Sequence, residues 1–371
     1  NRLQYSADYF VNLWTGESVN GRRFFRSSWF SSTEVDDQPP RNRDCPYNAR
    51  ATKAVRYYAW KTRDAAVMEA LHEWSEAWLS AALRTDKGKP LGIMPATVRF
   101  PDEVFNGDGA NWYRANMFWP YFEWERSPGS KMLDQLMFSY MVTRDDRFLK
   151  PLLISLDLIR KHEGREGEAQ EGSEAWAATI LGNNSRFWSV AAQWRLLTGN
   201  EAYDELLMKH GTPYLKYRLT GEESYLVEGL ERPLEYARYN TPLKTYEALH
   251  TDRVYIRGHE HLTTMLTGNV SDEGLSPSFG VTWEKTDESF TALVRESRFD
   301  RLALDIYSHS DDAEAVNMRI WQLEPGRYDL IRNDGGKVAR EAFLLDEKGQ
   351  RLPITLPAKQ LVTIQLTASG R

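Results

Sequence analysis

Cysteine is almost absent from this chain: Cys45 stands alone among 371 residues. No intrachain disulfide and no cysteine-based zinc site can therefore form, and the single thiol reads as an inert small residue. Long apolar runs are missing too. Nothing approaches the roughly 20 consecutive apolar residues that cross a bilayer, so no membrane span is expected. Basic excess is also lacking: the net charge of -6 argues against a nucleic-acid partner, whose phosphates call for a positive balance. The chain opens at Asn1 with no charged-then-apolar leader, as expected of a processed protein or a piece of a longer one.

What is abundant is aromatic surface: 13 Trp, 18 Tyr and 15 Phe. Most of these rings belong in a core. Some are expected to line a groove where flat rings stack on sugar faces. Residues 1–60 show little periodicity, contain the Pro39-Pro40 pair, and concentrate Arg22, Arg23, Arg26, Arg41, Arg43 and Arg50. Such a cluster is either a solvated basic face or the wall of a cleft that receives carboxylate or sulfate, for which guanidinium forks are suited.

From Thr62 the pattern turns helical. Val67, Leu71, Trp74, Trp78 and Ala81 recur at three- and four-residue steps, ending at Gly88 and Pro90,. Residues 91–125 are rich in breakers and aromatics and read as a long loop. Further helices are predicted from about 127 to 141, 149 to 159, 173 to 181, 186 to 197, 201 to 209 and 223 to 238. Four connectors share a grammar: Thr62-Arg63-Asp64, Thr143-Arg144-Asp145, Thr198-Gly199-Asn200 and Thr220-Gly221-Glu222. The middle residue closes one helix and the acid or Asn opens the next. That grammar suits helical hairpins arranged around an axis. After Gly274 the period becomes two, in Phe279/Val281/Trp283, Leu302/Leu304/Ile306 and Val316/Met318/Ile320, with turns at Pro325-Gly326, Asn333-Asp334-Gly335-Gly336 and Lys348-Gly349. Seven or eight short strands at this rhythm predict an antiparallel sandwich. The expected class is α+β multidomain: an irregular segment at 1–60, an (α/α) helical-hairpin toroid, complete or partial, at 61–275, and a β-sandwich at 276–371.

Chemistry concentrates at 245–268, TYEALHTDRVYIRGHEHLTTMLTG, which holds His250, His259 and His261 together with Asp252, Arg253, Tyr255, Arg257 and Glu260. Read as a strand, positions 253, 255, 257 and 259 share a face, which sets Tyr255 in the field of two arginines. Upstream, Asn183-Asn184 in LGNNSRFW opens a helix. Helical hairpins followed by a sandwich resemble, over most of the chain, the polysaccharide lyases of the (α/α)-toroid type and, more loosely, the six-hairpin glycosidases. The resemblance implies an Asn that neutralises a uronate carboxylate, then a His and a Tyr that move protons, with an Arg nearby. Asn184, His250, Tyr255 and Arg257 occur in that order. The family's Arg usually lies elsewhere in the chain, which makes Arg186 the substitute.

The activity so implied is β-elimination on an acidic, uronate-containing polysaccharide, in a secreted or periplasmic setting and with no cofactor required. Asn183, Arg186, Arg253, Trp112, Tyr113 and Trp188 are the expected substrate-binding side chains. Three alternatives stay open. Hydrolysis by two carboxylates would use Asp108, in the glycine-flanked FNGDGANWYR, with Asp252, Glu260 or Glu174. A divalent metal would sit on His259 and His261, at i and i+2 of a strand, with His250 or Asp252. A non-catalytic glycan-binding module would use the aromatics alone.

Overall fold

The computed structural model describes residues 2–115, 117, 122–126, 128–164, 169–240, 259–271, 278–285 and 289–369. It divides into two compact units, Asn1–Ala191 and Ala192–Arg371. Helices and antiparallel sheets together make it an α+β chain.

In the first unit the helices are α1 (Arg2–Tyr9), α2 (Thr52–Thr62), α3 (Ala65–Leu83), α4 (Ser130–Thr143), α5 (Lys150–His162) and α6 (Glu174–Gly182), with α7 (Ser185–Thr198) spanning the division. From α3 onward they fall where the apolar periodicity predicts them. Residues 1–60 are more ordered than their weak periodicity suggests. They hold α1, α2, a π-helical turn at Phe10–Trp14 and the short strands β1 (Thr15–Glu17), β2 (Arg23–Phe25) and β3 (Arg43–Asp44). The reason is aromatic packing: Phe10 and Phe25 meet Trp74 edge-on at 5.9 and 5.4 Å, and Phe24 meets Trp78 at 6.3 Å. Burying such rings stabilises the segment without needing a helical stripe.

Trp74 and Trp78 lie one turn apart on α3. Both point their indole N–H at Asp44 Oδ2, at 2.8 and 2.9 Å. Phe25 N also donates to Oδ2 at 3.1 Å, and Asn48 Nδ2 donates to Oδ1 at 3.0 Å. Asp44 is fully buried, and burial pushes its pKa up to about 6 against the pull of these four donors,. Cys45 beside it is buried and inert, its thiol pushed up by the same burial.

The 91–125 stretch contains no α-helix among its described residues. Its strand β4 (Val98–Arg99) pairs with β3. Two lysines hold it by main-chain carbonyls. Lys87 Nζ donates to the carbonyls of Phe105, Gly107 and Gly109. Lys89, 1% exposed, donates to Ala82 at 2.8 Å, Pro90 at 3.0 Å and Ile93 at 2.6 Å. Burial pulls Lys89 down to about 7. Three acceptors need all three N–H groups of an ammonium, so the carbonyl cage opposes that pull.

The second unit continues with α8 (Asp204–His210), α9 (Pro213–Thr220), α10 (Ser224–Asn240) and α11 (His259–Thr267). Its strands are β5 (Val281–Trp283), β6 (Phe290–Ser297), β7 (Arg301–Ser308), β8 (Glu314–Ile320), β9 (Gly326–Asp334), β10 (Lys337–Leu345), β11 (Arg351–Leu356) and β12 (Leu361–Ala368). One sheet runs β10-β9-β12-β7-β6 and the other β11-β8-β5, antiparallel throughout, in a sandwich-like arrangement. Alternate residues of most strands, among them Leu304, Ile306, Met318, Ile354 and Ile364, form one buried core, to which the largely exposed β10 adds Leu345,. Asp334 pairs with Lys337 across a Gly335-Gly336 turn with φ of 54° and 100°, backbone that glycine adopts at little cost.

The connectors have one geometry. Thr62, Thr143, Thr198 and Thr220 each donate Oγ1 to the carbonyl four residues back, at 2.8–2.9 Å. Each hydroxyl then accepts from the backbone N–H two residues on, at 3.1–3.3 Å. The middle residue is left-handed in all four: Arg63, Arg144, Gly199 and Gly221, with φ of 57°, 61°, 73° and 76°. A fifth connector, Thr267-Gly268-Asn269, repeats both bonds, with Gly268 at φ 75°.

Candidate functional site

A cleft of about 880 Å³ opens in the first unit. Its walls come from the loop at 27–41, the 3₁₀ turn Pro46–Arg50, and Phe122 from the long loop. The 27–41 loop is closed by its own hydrogen bonds. Ser27 Oγ donates to the Asp36 carbonyl at 2.6 Å and accepts from Trp29 N at 2.9 Å, Asp36 N donates to the Trp29 carbonyl at 3.1 Å, and Ser28 N donates to the Arg41 carbonyl at 3.0 Å. Trp29, Asp36 and Arg41 are thereby held as one group.

Trp29 is 50% exposed, an unusual setting for so large a ring,. The Arg41 guanidinium carbon lies 4.3 Å from its ring centre, and Arg41 Nη1 donates to Asp36 Oδ2. Asp36 Oδ1 accepts from Gln38 N at 3.2 Å. The Arg41 hydrogen bond, aided by that backbone donor, lowers the Asp36 pKa. On the other wall Arg50 lies 4.7 Å from the Tyr47 ring centre and donates to its hydroxyl. Tyr47 and Phe122 meet edge-on at 5.4 Å. The cleft thus offers half-exposed aromatic rings with a guanidinium on each of two of them. Asn48 Nδ2 ties the base of the cleft to the Ser27 carbonyl at 3.3 Å as well as to Asp44.

Of the six clustered arginines, only Arg41 and Arg50 line this cleft. Arg22, Arg23 and Arg26 pair with Glu103, Glu73 and Asp37 at 2.7, 2.7 and 2.5 Å. Arg43 is buried, donating to the Ala115 carbonyl at 2.7 Å. Trp29, Asp36, Tyr47 and Phe122 were not foreseen as site residues. The sequence signal for Trp29, Asp36 and Tyr47 is the aromatic, acidic and arginine residues around Pro39-Pro40; Phe122 has none beyond the aromatic content of its loop.

The residues singled out from the sequence fall in different places. His250, Asp252, Arg253, Tyr255 and Arg257 lie outside the described residues. Positions 259 and 261 are on helix α11 and not on a strand. Two steps of a helix turn the backbone by about 200°, so the pairing on a shared face that a metal would need is corrected. Among the described residues no cluster of metal-ligating side chains occurs. His261 itself is half-buried, and burial lowers its pKa.

Asn184 accepts at Oδ1 from Phe187 N at 3.0 Å and from Ser130 Oγ at 2.8 Å, so this oxygen caps α7,. Asn183 ends α6, exposed to solvent, and Arg186 is half-buried on the first turn of α7. Trp112 and Trp188 are core rings, 1% and 5% exposed, with indole donors spent on the carbonyls of Gly172 and Gly182. Neither presents a face to a sugar, and that expectation is corrected. Tyr113 is half-buried and packs on Trp112 and Trp176. Asp108 is 92% exposed at its side chain and bound by Arg99 at 2.6 Å, unlike the water-excluded acid that glycoside hydrolysis uses. Glu174 is paired with Lys161 at 2.6 Å, which lowers its pKa.

No helix among the described residues is long and apolar enough to cross a membrane. No protein-family model matches the sequence, and no curated protein matches it. Among solved structures it is similar to a Paenibacillus polymyxa xyloglucanase of glycoside hydrolase family 44, at 12% identity over 31% of this chain and 24% of that one, TM-score 0.19. The chain thus spans about a quarter of that enzyme. The same enzyme with xyloglucan gives 11% identity over 84% and 64%, TM-score 0.20. KdgF from Halomonas sp. gives 10% identity over 24% and 89%, TM-score 0.13. At such scores the likenesses establish neither a shared fold nor a shared activity.

Proposed function

We propose that the protein is a carbohydrate-active enzyme that degrades an acidic, uronate-containing polysaccharide by β-elimination. The observation that carries the glycan part is the cleft, where the exposed Trp29 ring, the Tyr47 and Phe122 rings and two guanidiniums share one wall set. Flat rings with charged and polar neighbours suit a sugar chain better than they suit a compact apolar ligand. The elimination part rests on residue order. Arg257, or Arg186 in its place, and the Asn184 amide stabilise charge building on the uronate carboxylate. Tyr255 or His250 then takes the proton beside it. The bond to the glycosidic oxygen breaks, that oxygen is protonated, and a carbon–carbon double bond conjugated with the carboxylate remains. The reading includes a toroidal arrangement of the helical hairpins over 61–275, a sandwich domain at 276–371 and a secreted or periplasmic setting.

The test is incubation with a uronate polymer. New ultraviolet absorbance from the conjugated product is the expected result. New reducing ends without that absorbance would point to a hydrolase, and retention without turnover to a binding module. Undiminished elimination in both Tyr255→Phe and His250→Ala would sink the residue assignment.

A further inference from the structure

The arrangement around Trp29 goes further than a general glycan cleft. Arg41 already holds an anion there, and the anion is its own chain's Asp36. The two side chains are 48% and 34% exposed. A pair so open to water contributes little to folding, so stability does not explain it. Two backbone contacts keep the pair in place regardless of its strength: Asp36 N on the Trp29 carbonyl, and Gln38 N on Asp36 Oδ1. The Asp36 contact to the guanidinium is made through Arg41 Nη1. A guanidinium has five N–H donors and is suited to a second or a replacement oxyanion.

We propose that Arg41 is the residue of the cleft that reads the acidic group of the bound sugar chain, carboxylate or sulfate, with Asp36 as a resident competitor that the ligand displaces. The inference rests on the reading of this cleft as a glycan site. Its consequence is selectivity. A neutral sugar gains the ring face and leaves the Arg41–Asp36 pair intact, whereas an acidic sugar must replace a carboxylate that is tethered beside the guanidinium. Binding of the acidic ligand is therefore weaker than the arginine alone would give, and Asp36 sets how strong an anion the cleft accepts.

Asp36→Asn is the decisive variant, because the Asn oxygen still accepts from Gln38 N while the competing charge is removed. Calorimetry on the whole chain would use an oligogalacturonate, its methyl ester and a sulfated galactan oligosaccharide, with the thermal midpoint confirming folding. Asp36→Asn is expected to tighten the carboxylated probe, the sulfated probe or both by about five- to tenfold and to leave the ester within about twofold. Which acidic probe responds tells carboxylate from sulfate. Arg41→Gln is expected to weaken the responding probe about tenfold and spare the ester. Unchanged or weaker binding of both acidic probes by Asp36→Asn, with the wild type binding them, overturns the inference and leaves the glycan reading standing. No binding of any probe by the wild type overturns both.

Discussion

Asp44 carries a carboxylate in the interior with four neutral donors and no cation among its hydrogen-bond partners. It ties β2, α3 and the 3₁₀ turn of the cleft wall to one point. In Asp44→Asn, an oxygen that can accept becomes an amide nitrogen that only donates, facing other donors, and the loss should be about 3 kcal/mol in denaturant unfolding at pH 4. The pH dependence follows from the raised pKa. The folded state holds the Asp44 proton more tightly than the unfolded chain does. That contribution is fully present below the ordinary value of 3.8 and is lost as pH rises through about 6,. The stability gap between wild type and Asp44→Asn should therefore narrow as pH is raised from 4 to 7 by up to about 3 kcal/mol; a gap that widens would contradict this. Lys89→Met leaves three carbonyls without their donor and should cost about 2–4 kcal/mol by the same measurement. Neither residue was legible in the sequence. A single Asp or Lys buried by distant elements leaves no local pattern, and Lys89 stands between the helix-ending Gly88 and Pro90 with no periodic signal of its own.

Helices and their connectors were far more legible, because local bonds build them. The Thr-x-acid grammar marks a hydroxyl that both ends one helix and receives the next backbone N–H. Thr143→Val keeps the shape and removes both bonds, and a loss of about 1–2 kcal/mol is expected in chemical unfolding. Arg144→Gly relieves a left-handed residue at φ 61° and should raise the thermal midpoint, for a gain of about 0.5–1 kcal/mol. The fifth connector, Thr267-Gly268-Asn269, follows the same grammar and makes the same two bonds. In the same stretch the alternation of Arg253, Tyr255, Arg257 and His259 suggests a strand. Its last part is instead helix α11, whose inward Leu266 packs beside the sandwich core. Four alternating positions are too short a signal to fix the state of the last of them, where a helical face begins,.

For the whole molecule, composition separated helices from sandwich because the apolar period changes from 3.6 to 2 along the chain. The cleft was not legible in that way. Its walls come from residues between 28 and 51 together with Met117 and Phe122, and only folding brings an exposed Trp beside a guanidinium. Charge adds one further expectation at this scale. The chain's -6 repels an acidic polymer at long range, while Arg41 and Arg50 attract it only on contact. Association with an oligogalacturonate should speed up as salt rises from about 0.01 to about 0.1 M, where the Debye length shrinks from about 30 to about 10 Å. Stopped-flow rates that fall over this range would show instead that the local field of the cleft governs encounter. The threonine connector has a separate consequence for how such a chain can change. It fixes the exit direction of a helix from within, so it places no demand on how many turns precede it. Helices of quite different length share it here, from the 8 residues of α9 to the 14 of α4. A whole turn inserted upstream should leave the joint intact. The motif is in that sense a portable coupling, usable in a designed helical array without importing the domain around it.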